Sequence, residues 1–191
     1  MFAQLLGYRF SALRDGRRLL VRPIGPDDKA LLAWGVSQLS RESSYLRFFA
    51  SRSKLSAGEL RYLTEVDHVD HEALVAVLAD QPDVLVGVVR FVRQTDDPEA
   101  AEVAMTIADS YQGQGVGRHL LELAMDAARD RGVRRFVAIM LAENHGAQRL
   151  FGSAGDVVEV RRDGSEIRLV FDIGAARRHP RAEVPSLLAA A

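Results

Sequence analysis

Three glycines stand at alternate positions in Gln112-Gly113-Gln114-Gly115-Val116-Gly117, and an apolar-patterned helix starts at once. That much backbone freedom just before a helix is needed where the main chain must turn sharply or lie close against a ligand. The first N–H groups of a helix have no acceptor within it, and the helix dipole leaves positive charge at the same end. The stretch "DSYQGQGVGRHLL" (Asp109–Leu121) therefore reads as a phosphate-holding turn. The helix that follows runs from about Gly115 to Arg131. Leu120, Leu121, Leu123, Ala124, Ala127 and Ala128 form its apolar face, and Gly132 ends it.

The surroundings of this turn set the fold class. "RRLLVRPI" (Arg17–Ile24) has the character of a first strand, stopped by Gly25, Pro26 and Asp27. Leu31, Leu32, Val36 and Leu39 then recur at helical spacing, and "SRESSYLRFFA" and "SAGELRYLTEV" predict two more short helices. Ser40 and Ser56 are N-cap candidates, the latter with Glu59 as a capping box. The period then shortens. Glu72–Ala79, Val84–Arg93 and Ala100–Ala108 are β-type runs joined by short polar connections, which predicts an antiparallel meander. Arg134–Ala142 is a continuous apolar run after a helix, as expected of a buried strand parallel to its predecessor. "NHGAQRLFGSAG" predicts a short helix, and "DVVEVRRDGSEIRLVFDI" a hairpin turned at Asp163-Gly164. The fold expected is α/β with a mixed sheet, one domain over residues 1–173, and a mobile tail over 174–191.

Composition excludes several functions. The 191 residues carry a net charge of −1, so there is no electrostatic footprint for nucleic acid. Cysteine is absent, so neither disulfides nor a thiolate nucleophile can be built. The N-terminal run lacks a basic region and is interrupted by Gln4 and Arg9; no stretch is long enough to span a membrane. A cytoplasmic protein is expected. The glycine spacing also differs from G-x-G-x-x-G, Asp109–Tyr111 intervene between strand and loop, and no lysine follows as in a Walker loop. A dinucleotide enzyme is thus a weaker alternative, to which Glu143 near the next strand end lends some support.

Gln112–Gly117 fits the R/Q-x-x-G-x-G/A loop, and Asn144 opens "NHGAQRLF", which resembles N-x-x-A-x-x-L-Y/F. Both resemble the GNAT superfamily of N-acetyltransferases, as does the element order β-α-α-β-β-β-α-β-α-β-β. "LRDGRRLLVRPIGPDD", "LSRESSYLRFF" and "HEALVAV" are similar to the GNAT domains of bacterial protein-lysine acetyltransferases. Some of those carry a cyclic-nucleotide or acyl-CoA-synthetase-like module, for which this chain has no room, so such regulation is not expected.

The resemblance implies a GNAT fold in which the central parallel strands splay at the cofactor site. It implies that Gln112, Gly113, Gln114, Gly115, Val116 and Gly117 hold the pyrophosphate of acetyl-CoA. A main-chain N–H near Met105, Thr106 and Ile107 would bond the acetyl carbonyl and stabilise the oxyanion. Alternation along "AAEVAMTIA" puts Ala101, Val103, Met105 and Ile107 on one face, and Glu102, Ala104, Thr106 and Ala108 on the other. Relatives use a glutamate at the Glu102 position as general base; otherwise Glu102 is a solvated strand residue. Asn144 serves the pantetheine arm, caps its helix, or both. Phe151 stands where many members have the tyrosine that protonates the thiolate, so the general acid is unassigned. Arg47, on the expected acceptor wall, is a candidate selector of substrate. "DHVDHE" (Asp67–Glu72) suggests a metal site only weakly, because a loop-to-strand junction splays its side chains; no metal is expected. His71 there is a second candidate for assisting proton removal, and His119 and His145 flank the cofactor loops.

The function this implies is acetyl transfer from acetyl-CoA to a primary amine, with a protein lysine as first-choice acceptor and direct attack on the thioester. The alternatives are a small-molecule amine acetyltransferase and a non-catalytic acyl-CoA-binding regulatory protein. Leu187 and Leu188 in the tail leave a homodimer open.

Overall fold

The computed structural model describes residues 9–50 and 52–174. The tail and its Leu187 and Leu188 lie outside the described residues. In chain order the elements are β1 (Arg9–Ala12), β2 (Arg18–Pro23), α1 (Lys29–Ser37), α2 (Arg41–Phe48), α3 (Ala57–Thr64), β3 (His71–Leu78), β4 (Gln81–Arg93) and β5 (Ala100–Ile107). They continue with α4 (Val116–Arg129), β6 (Arg135–Leu141), α5 (His145–Gly152), β7 (Asp156–Asp163) and β8 (Glu166–Asp172). The strands form one mixed sheet in the order β1-β2-β3-β4-β5-β6-β8-β7.

The meander, the crossover through α4 and the final hairpin are where the hydrophobic periods put them. The described chain has one strand and one helix beyond the expected order. β1 pairs with β2 in a hairpin, and all three helical runs between β2 and β3 form separate helices. Ser56 and Glu59 exchange both bonds of the capping box at the head of α3. The final hairpin closes over Gly164-Ser165, one position later than expected, with Gly164 at φ +57°.

Helices cover both faces of the sheet. α4 and α5 share one core with Phe91, Phe136 and Phe171, whose rings pack in series 5.7 and 5.9 Å apart. α4 buries Val116, Leu120, Leu121, Ala124, Met125 and Ala128, while Leu123 and Ala127 only flank the core. Each fully buried leucine contributes roughly 1.5–3 kcal/mol. On the opposite face Leu32 of α1 joins Val75, Val77, Leu85 and Val88 in a second core.

The only parallel pairing among the described strands joins β5 to β6, over Ala100–Arg135, Ala101–Phe136 and Glu102–Val137. Past Glu102 the two strands separate, although β5 stays paired to β4 as far as Ile107–Gly87 and β6 to β8 as far as Leu141–Glu166. The sheet therefore opens into a V, with its apex at Glu102 and the glycine turn across its wide end.

Candidate functional site

The V leads into a cleft of about 470 Å³, lined by the end of β5, the glycine turn, the start of α5 and one side of α2. Gly113 and Gly115 adopt φ +71° and +90°, while a Cβ at either position would meet nothing within 4 Å. Conformation, rather than space, thus requires glycine at both. At Gly117 space decides: an added Cβ would stand 3.3 Å from Leu150 Cδ2 and 3.4 Å from Met105 Sδ. The first backbone bond of α4 is His119 N–H to the Gly115 carbonyl, 3.1 Å. Among the described residues the N–H groups of 113–118 donate no backbone hydrogen bond. Unspent amides at a helix head form an anion-binding surface.

The side chains of the turn are spent on holding its shape. Gln112 Nε2 donates to the Ile107 carbonyl and to Ser43 Oγ, both at 3.1 Å, and Gln114 Nε2 to the Ser110 carbonyl at 2.9 Å. Asp109, just upstream, accepts from Ser40 N–H at 2.9 Å, Ser40 Oγ at 3.0 Å and Ser43 Oγ at 2.5 Å. Burial pushes the Asp109 carboxyl up, but the bonds from Ser43 and Ser40 outweigh it and hold the group below the usual carboxylate range. Ser40 also caps α2 by accepting from Ser43 N–H. α2 is thereby tied to the glycine turn, a link that no local sequence pattern announces.

β5 presents the two faces that its alternation predicts. Ala101 and Val103 are buried and Glu102 between them is exposed. Met105 and Ile107 pack toward α4 and α5 and line the cleft. Glu102 makes no hydrogen bond or ion pair among the described residues; the cation whose charge it shares is Arg47. Thr106 lines the cleft and also a second, smaller chamber of about 40 Å³ under α1, α2 and α3. Arg47 lines both as well. Burial pushes the Arg47 guanidinium below its ordinary range, and the Glu102 charge partly restores it.

Arg90 of β4 is a further cation on that chamber, and nothing in "VVRFVR" distinguishes it from an outward-facing strand residue. It is buried on the side of the sheet that α1 packs against, and the end of α3 reaches it. Its guanidinium donates to the Leu63 carbonyl at 3.2 Å and to His71 Nε2 at 3.0 Å. Burial, and then the Arg47 charge, bring Arg90 down to about 10. His71 stacks against Tyr62, 5.0 Å between centroids, and burial followed by the Arg90 charge lowers its pKa. Its register partner is Val92, which in turn pairs with Glu102. His71 therefore stands two inter-strand spacings, roughly 9.5 Å, from Glu102.

Asn144 caps α5, its Oδ1 accepting from Ala147 N–H at 3.0 Å, while it also lines the cleft. Phe151 lines the cleft from the core, packed 6.1 Å from Phe171. Tyr111 is buried beside it, and its hydroxyl accepts from Arg17 at 3.2 Å. His119 is half-buried on α4 and His145 is exposed at the start of α5. In the Asp67–Glu72 stretch, Asp67 accepts from three main-chain amides and Glu72 bridges His68 and Arg131 at 2.7 and 2.6 Å. Those acids tie the start of β3 to the end of α4, and no group of three metal-ligating side chains converges among the described residues. No helix among the described residues is long and apolar enough to cross a membrane.

A family model described as the Acetyltransferase (GNAT) family matches residues 39–155. Acetyltransferase Pat of Mycolicibacterium smegmatis is 34% identical over 168 residues, covering 84% of this chain and 47% of that protein. The chain thus spans about half the length of that relative. An acetyltransferase of Pseudomonas aeruginosa is 29% identical over 155 residues, covering 81% of this chain and 83% of its own. Among solved structures, the GNAT domain of PAT from S. lividans matches with a TM-score of 0.78 at 36% identity, over 86% of this chain and 96% of that one.

Proposed function

The chain belongs to the acetyltransferase (GNAT) family, and on that premise we propose that it transfers acetyl from acetyl-CoA to a primary amine, with a protein lysine as the first-choice acceptor. The observation that carries this is the run of main-chain N–H groups, 113 to 118, that donate no backbone hydrogen bond, with Gly113, Gly115, Gly117 and Arg118 lining the cleft. A pyrophosphate is the ligand such a surface suits, since its oxygens accept several convergent bonds and its charge is favoured by the helix dipole. Gln112, Gly113, Gln114, Gly115, Val116 and Gly117 hold it through their backbone, with Gln112 bracing the turn through its side chain. Asn144 and the Met105–Ile107 edge of β5 line the cleft, and Glu102 stands at the apex of the V outside its lining.

Bound acetyl-CoA supplies an activated acyl group with a thiolate leaving group. The protein's task is to deliver a neutral amine to it. A lysine amine has a pKa of about 10.4 and is nearly all protonated at neutral pH. Glu102, exposed at the apex of the V and free of competing partners, takes that proton directly or through a water. The freed main-chain edge of β5 near Met105, Thr106 and Ile107, no longer paired to β6, polarises the acetyl carbonyl. The phenyl ring of Phe151 donates no proton. A thiol pKa of about 8.5 makes the thiolate a tolerable leaving group without one. The lysine preference rests on the sequence likeness to GNAT domains of bacterial protein-lysine acetyltransferases and on the similarity to Pat. A small amine is the competing acceptor.

A second reading, an acyl-CoA sensor without turnover, is favoured by one observation, the phenylalanine at position 151. Calorimetry with acetyl-CoA and a thiol-release assay on an amine panel separate the two. Binding with release supports the transferase, binding without release supports the sensor, and no binding removes both.

A further inference from the structure

Arg47 is a charged group of the site whose bonding is not accounted for, and it lines both the cleft and the chamber. It stands on α2 between the cleft and the chamber behind it, with its guanidinium 5.2 Å from the Phe48 ring. Among the described residues it makes no hydrogen bond and no ion pair, although a guanidinium carries five N–H donors. Arg90, by contrast, spends its donors on His71 and the Leu63 carbonyl. The chamber wall has no carboxylate; its other residues are small or apolar side chains such as Leu39, Phe48 and Leu63, together with Thr106. The half-buried Arg47 and the buried Arg90 both line the chamber, and the Arg47 charge adds to burial in lowering the pKa of Arg90. Glu102 lies on the same face of β5 but does not come within ion-pair range of Arg47.

A buried guanidinium beside a half-buried one is costly unless an anion joins them. A planar carboxylate suits the Arg47 fork, which can bind it in a bidentate manner. Arg47 shares the chamber wall with Ala104 and Thr106, which follow Glu102 on the same face of β5, so an anion on Arg47 would sit a short way along the strand from the proposed base.

We propose that the acceptor carries a carboxylate on a short tether from its amine, and that Arg47 is the specificity-determining residue that binds it. The inference rests on the transferase reading above and names the substrate class of the same site. The carboxylate comes either from an acidic side chain beside a lysine or from the α-carboxylate of a free amino acid.

The test uses two matched pairs of acceptors with the full chain. One pair is a lysine peptide with Glu or Gln immediately before the lysine. The other is a free amino acid and its α-carboxamide. Affinity is read by calorimetry with coenzyme A present, and kcat/KM by thiol release. The acidic member of at least one pair binds and reacts about 10- to 100-fold better than its neutral twin, and the pair that discriminates identifies the source. Arg47→Gln brings that ratio to about one, whereas Arg47→Lys, which keeps the charge, retains part of it. Acetyl-CoA affinity does not follow the ratio in either variant. Equal affinity for both members of both pairs, a preference that survives Arg47→Gln, or an Arg47→Gln defect confined to acetyl-CoA binding each overturns the proposal. Acidic acceptors that bind selectively without thiol release would leave the carboxylate pocket standing and remove the transferase reading instead.

Discussion

On one face of β5, Val103, Met105 and Ile107 pack beneath α4 and α5; on the other, the exposed Glu102 is followed by Ala104 and Thr106, which line a chamber with the half-buried Arg47 and the buried Arg90. The first face leads to the glycine turn, where main-chain geometry makes the proposed binding surface and the side chains of Gln112 and Gln114 brace it. On the second face the main chain is ordinary strand, and everything chemical is a side chain: Glu102, Arg47, Arg90 and His71. Changes on the cofactor side should therefore act through backbone conformation and appear in acetyl-CoA affinity. Changes on the acceptor side should act through charge and appear in turnover.

The largest effect expected is at Glu102. Glu102→Gln keeps the shape and removes the proposed base, so kcat/KM should fall about 10²- to 10⁴-fold while the acetyl-CoA dissociation constant from calorimetry stays unchanged. A variant that instead loses acetyl-CoA and keeps turnover would erase the division between the faces. Next comes Gly115, at φ +90°. A β-branched residue resists the left-handed region by about 1–2 kcal/mol, so Gly115→Val depopulates the competent turn and raises the acetyl-CoA dissociation constant about 5- to 30-fold. A Gly115→Val protein with native affinity would show that the turn is not what holds the nucleotide.

Asp109 joins the two sides, because its carboxylate fastens α2 to the turn. Asp109→Ala should cost about 1 kcal/mol of stability in urea titration and weaken both acetyl-CoA and acceptor binding modestly; a defect on one side alone would contradict the link. The smallest effect is in pH. Burial lowers the pKa of His71 and of His119, so the unfolded chain binds protons at these sites more readily than the folded one. Their contribution to stability is full above the ordinary histidine value of 6.5 and is lost as pH falls through the lower folded values. Tm should decline between about pH 7 and pH 5, and His71→Gln combined with His119→Gln should flatten that decline. An unaltered slope in the double variant would assign it to other groups.

The cofactor side was the more legible from sequence, for the same physical reason. Glycine at alternate positions before a helix has few explanations, α4 repeats its apolar residues at the helical period, and the alternation around Glu102 is strict. β1 was not legible, since Arg9–Ala12 is short and mostly exposed and carries no strand period. Nor was the chamber. Arg90 bonds the end of α3 across 27 residues, and Asp109 reaches Ser40 across 69 residues. Single-residue patterns do not encode which helix covers which strand face, and on the acceptor side that is what makes the site. Asn144 read two ways in sequence; the structure shows the cap outright and leaves the same side chain on the cleft wall.

The most direct measurement is a crystal structure of the full chain with acetyl-CoA. The pyrophosphate oxygens should lie within hydrogen-bonding distance, about 2.7–3.2 Å, of several of the N–H groups from 113 to 118, with the thioester in the fork beyond Glu102. A pyrophosphate bound elsewhere while those amides face solvent would contradict the account at its root.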